Sequence, residues 1–313
     1  MKFPPIHYYD YLQLNKLLDA QKLRSAEFKD PVHDEMLFIT VHQAYELWFK
    51  QVLFEIDSVM AVFKKGKVEE HEMGLGIARL ERVIEIQKMM MGHIDVLETM
   101  TPMDFLEFRD FLYPASGFQS HQWKILETKL GLKQDDRLVY NNEQFFKALK
   151  PSQEKEVIAA LESPTLFDLI EGWLERTPFI KTEYFDFWTE YQKAVNKMFN
   201  ADLSVAQSNP RLNPPEKQKT IEMITSAKLT FEKLFNEKSY LDLQAQGVFR
   251  LKYQAIHAAL FILNYRDLPA LQLPYRLLSC LITIDEKMTE WRYRHALMVH
   301  RMLGKKIGTG GSS

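Results

Sequence analysis

The 313-residue chain carries 40 basic against 42 acidic side chains, with 46% hydrophobic and 12% aromatic residues. That length can bury a large core plus a smaller unit, and the near-cancelled charge, with no long block of either sign, argues against nucleic acid or a membrane surface as partner. A single cysteine, Cys280, excludes an internal disulfide; the start MKFPPIHYYDY lacks a secretory apolar region, and no window holds the 18 or so apolar residues of a membrane span, so the chain reads as cytoplasmic with no membrane segment.

Glycine and proline are sparse, at 12 and 13, and apolar residues recur at helical spacing over long stretches, which predicts an all-α fold, a large helical bundle with a small helical appendage. From 34 to about 65, Leu37, Val41, Ala44, Trp48, Val52, Ile56, Val59 and Phe63 recur at steps of three or four, the signature of one long amphipathic helix. A second runs from about 74 to 98, and a short one carries Phe105, Phe108 and Leu112 until Pro114 stops it. PASGFQS reads as a loop. NADLSVAQSNPRLNPPEK reads as an exposed connection. Helix returns at about 216–236, 241–265 and 275–303, the last two separated by DLPALQLP. The expected division is a main domain of 1–130 with 216–313 and an appendage of 131–215, without internal repeats.

In the last helix Leu277, Leu281, Ile284, Met288, Trp291, His295, Met298 and Met302 fall at alternating steps of four and three, so His295 sits in an apolar seam. A core histidine satisfied by a hydrogen bond produces the same spacing. The alternative is an axial heme ligand, for which one neutral imidazole on a rigid element with Trp291 and Met298 as walls suffices. Arg292, Arg294 and Arg301 stand ready either for propionates or for solvent. Non-heme iron fits poorly: there is no His-x-x-x-His pair, and Glu-x-x-His does not recur on facing helices.

On the first long helix Phe38, His42, Tyr45 and Phe49 form a second stripe, with Phe38 and His42 one turn apart. An aromatic slot with one polar group suits an indole, although core packing or a His42–Glu46 pair would leave the same trace. Arg109, four residues after Phe105, lies at the edge of an apolar face where a guanidinium fork can grip a carboxylate. The tail GKKIGTGGSS lacks the P-loop pattern and follows a helix where a strand should precede. As a flexible loop it would present bare amides and the Thr309 hydroxyl to an anionic or zwitterionic ligand.

Taken together, YYDYLQLNKLLDAQ, HDEMLFITVHQAYELWFKQ, TPMDFLEFRDFLYPASGFQS, GWLERTP and WRYRHALMVHRMLGKKIGTGGSS resemble the tryptophan 2,3-dioxygenase family, and the match runs in order from Tyr8 to Ser313. The resemblance implies heme b between long helices, ferrous for activity, with L-tryptophan and O2 as substrates and N-formyl-L-kynurenine as product. It implies that His295 is the proximal iron ligand while His300, turned off that face, is not. Phe38, Ile39, Thr40, Val41 and His42 would line the distal side, with His42 accepting from the indole N–H; Phe105 and Arg109 would hold the substrate and Thr309 would close over its amino-acid end. Tyr8, Tyr11 and Leu12 match a segment that in the family reaches the neighbouring subunit of a homotetramer. Two departures stand out: the family continues beyond the position of Ser313, and His121 follows GFQS where an apolar residue is expected. A heme monooxygenase acting on a substituted indole and a non-catalytic heme sensor are the competing readings; Arg109 with Thr309 favours an amino-acid substrate over both.

Overall fold

The computed structural model describes residues 3–133 and 149–304. Within them the fold is all-α, and the strand pairing present is one isolated bridge, Lys181 with Asp186. The chain divides into two compact units, 1–166 with 279–313, and 167–278. Residues 216–278, which the sequence groups with the main domain, therefore cluster with 167–215 instead.

The first unit begins with three single-turn helices, α1 (Tyr8–Tyr11), α2 (Leu14–Leu17) and α3 (Arg24–Glu27). The long α4 (Asp34–Phe63) and α5 (Glu70–Leu97) follow and pack on each other. Each places an apolar stripe inside: Val52, Ile56 and Val59 from α4 meet a core that includes Ile77, Leu80, Val83 and Ile94 from α5, every one of them at most 2% exposed. α5 begins four residues before the expected 74 because Glu69 and Glu72 close a reciprocal capping box. In α6 (Pro102–Arg109), Thr101 and Asp104 cap the first turn, Pro102 occupies a position that needs no N–H donor, and a 3-10 turn over Asp110–Leu112 ends the segment. PASGFQS contains a further 3-10 turn, Gly117–Gln119. α7 (His121–Leu130) and α8 (Pro151–Leu161) join Ile125, Val157 and Ala160 over Leu53 of α4.

Glu35 fixes the start of α4. Fully buried, its carboxylate accepts from the Arg24 amide at 2.7 Å, the Ser25 amide at 3.0 Å and the Ser25 hydroxyl, which in turn accepts from the Val32 amide at 3.0 Å. A charge-assisted network with its donors in place holds α3 and the chain up to Pro31 onto the first turn of α4.

The second unit takes most of α9 (Leu166–Leu174), then α10 (Phe187–Ser208), α11 (Pro214–Leu234), α12 (Glu237–Ala245), α13 (Tyr253–Asn264) and the start of α14 (Pro269–Leu303). Three sequence boundaries are corrected here. The exposed connection expected from Asn200 shrinks to 209–213, because Val195, Phe199 and Ala206 continue a buried face and Asn213 with Pro214 starts the next helix sharply. The single helix expected over 241–265 is broken at Gly247, whose φ of +76° ends α12. DLPALQLP does not separate helices: Pro269 opens α14, and the helix runs on through Pro274, which lies inside it.

The core of this unit is aromatic. Phe187, Trp188, Tyr191, Phe235, Tyr253 and Phe261 pack face and edge, and the ring of His257 lies 3.5 Å from the centre of Trp188 at 25°. Its buried Nε2 has no hydrogen-bond partner among the described residues. Burial pushes this imidazole down to about 4, against the opposing pull of Asp186. The unfolded chain therefore binds a proton here that the folded chain rejects, so stability is complete above pH 6.5 and declines as pH falls from about 6.5 to about 4. Denaturant melts at pH 7, 5.5 and 4.5 should show this loss, and His257→Gln should lose visibly less over the same interval.

Candidate active site

The site is built in the first unit from α4, α6 and the last five turns of α14. Phe38 and His42 project one turn apart from α4, with ring centroids 4.0 Å apart. Phe105 and Phe108 of α6 approach Phe38 at 5.8 and 5.5 Å and each other edge-on at 5.3 Å. Val32, Met100 and fully buried Phe108 form the floor, with Leu37, Phe111, Leu112 and Met302 packed against it. The result is an apolar aromatic cluster with the His42 ring at its edge.

That edge has a defined tautomer. His42 Nδ1 lies 2.7 Å from the Phe38 carbonyl oxygen. A carbonyl can only accept, so Nδ1 carries the hydrogen and, in the neutral ring, Nε2 carries the lone pair. Burial keeps the ring neutral by lowering its pKa, outweighing the Phe38 carbonyl and Glu46, which act in the opposite sense. The His42–Glu46 pairing left open by the sequence is not formed as a hydrogen bond: Glu46 accepts instead from Gln122 at 2.7 Å.

His295, on α14, is the second imidazole. Burial first, and the neighbouring His42 second, push it down to about 4. His42 on α4 is thus near enough to oppose the protonation of His295 on α14. Among the described residues, nothing hydrogen-bonds to the His295 ring, and one of its faces is stacked on Trp291 at 5.0 Å and 10°. Met298, 9% exposed, lies on the same seam, and His300 is exposed.

Of the remaining residues, Arg109 ends α6 with its side chain 18% exposed, 3.8 Å from the outward-facing Asp110. Ile39 is half-buried, whereas Val41 is a core residue and Thr40 is exposed, turned away from Phe38 by the helical step. Tyr8, Tyr11 and Leu12 are 69%, 70% and 40% exposed and line nothing within their own chain's slot. Thr309 lies outside the described residues. Arg292 is spent on Glu127, at 3.0 and 3.2 Å, and Arg294 on Asp95 and Glu98, so of the three arginines considered for propionates Arg301 alone makes no ion pair among the described residues. His121, the unexpected residue after GFQS, pins α8 through Gln153 at 3.2 Å and Glu156 at 3.6 Å. Trp123, which no spacing singled out, packs 4.4 Å from Trp291.

The donor set suits a heme. One neutral imidazole with an available lone pair and an aromatic wall is what a single axial bond requires, and no three His, Cys, Asp or Glu among the described residues converge as a bare metal ion would need.

A helical scaffold presenting two neutral imidazoles beside an aromatic cluster is compatible with a heme enzyme. The tryptophan 2,3-dioxygenase family model matches residues 4–313. The chain is 57% identical to a tryptophan 2,3-dioxygenase of Bdellovibrio bacteriovorus over 313 residues, covering all of this chain and 87% of that protein. It is 46% identical to the enzyme of that name from Alteromonas mediterranea, covering 99% and 85%, and 44% identical to that of Xenopus laevis, covering 98% and 75%. The chain belongs to the tryptophan 2,3-dioxygenase family.

The His42 tautomer is open to direct measurement. In heme-free protein at pH 7, long-range 15N spectra should show His42 as the Nδ1–H form, and His295 should stay neutral down to about pH 5. An Nε2–H signal for His42 would remove its capacity to accept from a substrate N–H.

Proposed function

We propose that this chain is a heme-dependent dioxygenase that cleaves the C2–C3 bond of the L-tryptophan indole with O2, giving N-formyl-L-kynurenine, the first step in degrading the amino acid. The observation that carries the reading is the Phe38–Phe105–Phe108 cluster with His42 at its edge on α4, together with His295 stacked on Trp291 on α14.

In this reading His295 would hold the iron of heme b, ferrous for activity, with Trp291 and Met298 as its apolar neighbours. Heme supplies the activation of O2 that no side chain of the chain can provide. The protein's own contribution is placement. Phe38 and Phe105 clamp the indole plane, and His42 Nε2 accepts from the indole N–H, fixing which edge faces inward. The Phe108 floor excludes water. Arg109 grips the carboxylate through its two-pronged guanidinium, and Thr309 closes over the ammonium end. Both oxygen atoms remain in the product, so no external reductant is consumed per turnover and no acid/base dyad is required.

The proposal extends to assembly and place. The chain works as a homotetramer in the cytoplasm, with Tyr8, Tyr11 and Leu12 of one subunit covering the slot of the next; their exposure in the single chain supports this. No helix among the described residues is long and apolar enough to cross a membrane.

Two outcomes test the reading. His295→Ala should fold, by circular dichroism, yet fail to retain heme, and an unchanged Soret band at full occupancy would reject the ligand. Arg109→Lys should weaken L-tryptophan binding about ten- to a hundredfold at unchanged heme content, because a point charge cannot reproduce a two-bond fork worth roughly 1.5 to 3 kcal/mol. Tryptamine, lacking the carboxylate, should bind the parent poorly and be indifferent to the substitution; equal binding of tryptamine and tryptophan by the parent would sink the clamp.

A further inference from the structure

Behind His295 lies an aromatic assembly that substrate handling does not use. Four helices of the first unit meet there: Tyr45 from α4, His93 from α5, Trp123 from α7 and Trp291 from α14. Tyr45 is 6% exposed and donates its hydroxyl to the Met90 carbonyl at 2.8 Å. Its ring meets Trp291 edge-on at 5.9 Å and His93 edge-on at 5.2 Å. The buried indole N–H of Trp291 is turned toward the Tyr45 hydroxyl without completing a hydrogen bond of good geometry. Trp123 closes a further side of the same indole at 4.4 Å and 39°.

Trp291 is thus held by α4, α7 and its own helix, and the face it presents to His295 is parallel to the imidazole within 10°. An imidazole on a helix can rotate about its Cβ–Cγ bond, whose torsional wells are broad. A wide ring lying flat against one face removes that freedom, since rotation would drive the imidazole edge into the indole. Tyr45 also stands three residues from His42 on α4, so its contact with Trp291 spans from the helix of one imidazole to the helix of the other. An aliphatic side chain of equal volume would fill the space without defining a plane.

We infer that Trp291 is a positioning residue whose indole, braced by Tyr45 and Trp123, sets the plane of the His295 imidazole and with it the orientation of the axial bond. The inference rests on His295 as the heme ligand. It assigns the Trp123–Trp291–His295 stack a task different from that of a wall against the macrocycle: the ring acts through the ligand.

The test uses heme-loaded protein and three substitutions. Trp291→Met keeps apolar bulk but has no plane, Trp291→Phe keeps a plane, and Tyr45→Phe keeps the ring but removes the hydroxyl that is tethered to Met90 and faces the Trp291 indole N–H. For each, the Fe–His stretching band is read by resonance Raman, the g-value spread of the ferric form by electron paramagnetic resonance, and heme loss by transfer to excess apomyoglobin. Trp291→Met should shift and broaden the Fe–His band, alter the g-value spread, and speed heme loss roughly two- to tenfold, the scale of one aromatic contact. Trp291→Phe should restore most of the parent signature, and Tyr45→Phe should move it in the direction of Trp291→Met by less. A folded, loaded Trp291→Met protein with the parent's band and g-values overturns the inference, as does Trp291→Phe behaving like Trp291→Met. Should Trp291→Met fail to load, Tyr45→Phe decides: a shifted band supports the bracing, an unchanged one overturns it. If His295→Ala retains a parental heme spectrum, the ligand assignment itself has failed, and that result is separable from all of these.

Discussion

Taking an imidazole out of water without a full set of partners costs free energy, and the first unit does this twice within one site. His42 has its Phe38 carbonyl and His295 has no hydrogen bond among the described residues, yet both are kept largely from solvent. The cost is offset by the apolar core of the same unit, where Val52, Ile56, Ile77, Leu80 and Ile94 are at most 2% exposed. Neutrality follows from that burial, and the tautomer of His42 follows from the carbonyl beneath it. An imidazole with a lone pair is useful to an iron or to an indole N–H only while it stays unprotonated, so the hydrophobic packing of α4, α5 and α14 is the condition on which the chemistry of the site depends.

Much of this was legible in the sequence, and the reason differs from element to element. The i, i+4 relation of Phe38 and His42 is a property of one helix, so periodicity alone put both on one face, and the seam through Trp291, His295 and Met298 was readable in the same way. The start of α5, the extent of α10 and the break at Gly247 were misjudged because each is decided by a local competition, a capping box, a continuing buried face or a left-handed glycine, that apolar spacing does not record. The prolines of DLPALQLP signal a break, but Pro269 stands at a helix start and the helix continues through Pro274.

Contacts between distant parts of the chain left no such trace. Glu35 looks like an ordinary acidic residue in a first helical turn, and only the folded chain brings Arg24 and Ser25 onto its carboxylate. Trp123 belongs to no stripe, and its place against Trp291 depends on how α7 crosses α4 and α14. The arginines show the converse: Arg292 and Arg294 were plausible anion binders by position, but Glu127, Asp95 and Glu98 occupy them. Exposed pairs of this kind add little stability, and their effect here is to commit two cations to the protein rather than to a ligand.

The two imidazoles stand about 250 residues apart in the chain, and Gln87 reaches the Ile284 carbonyl at 3.3 Å across 197 positions. During synthesis at roughly 5 to 20 residues per second, α4 and α5 leave the ribosome tens of seconds before α14. For that interval the paired helices lack the seam of α14, and the slot beside His42 has no opposite side. The proposed heme ligand His295 comes last, so until translation has passed it the apolar surface that the finished enzyme conceals stays uncovered.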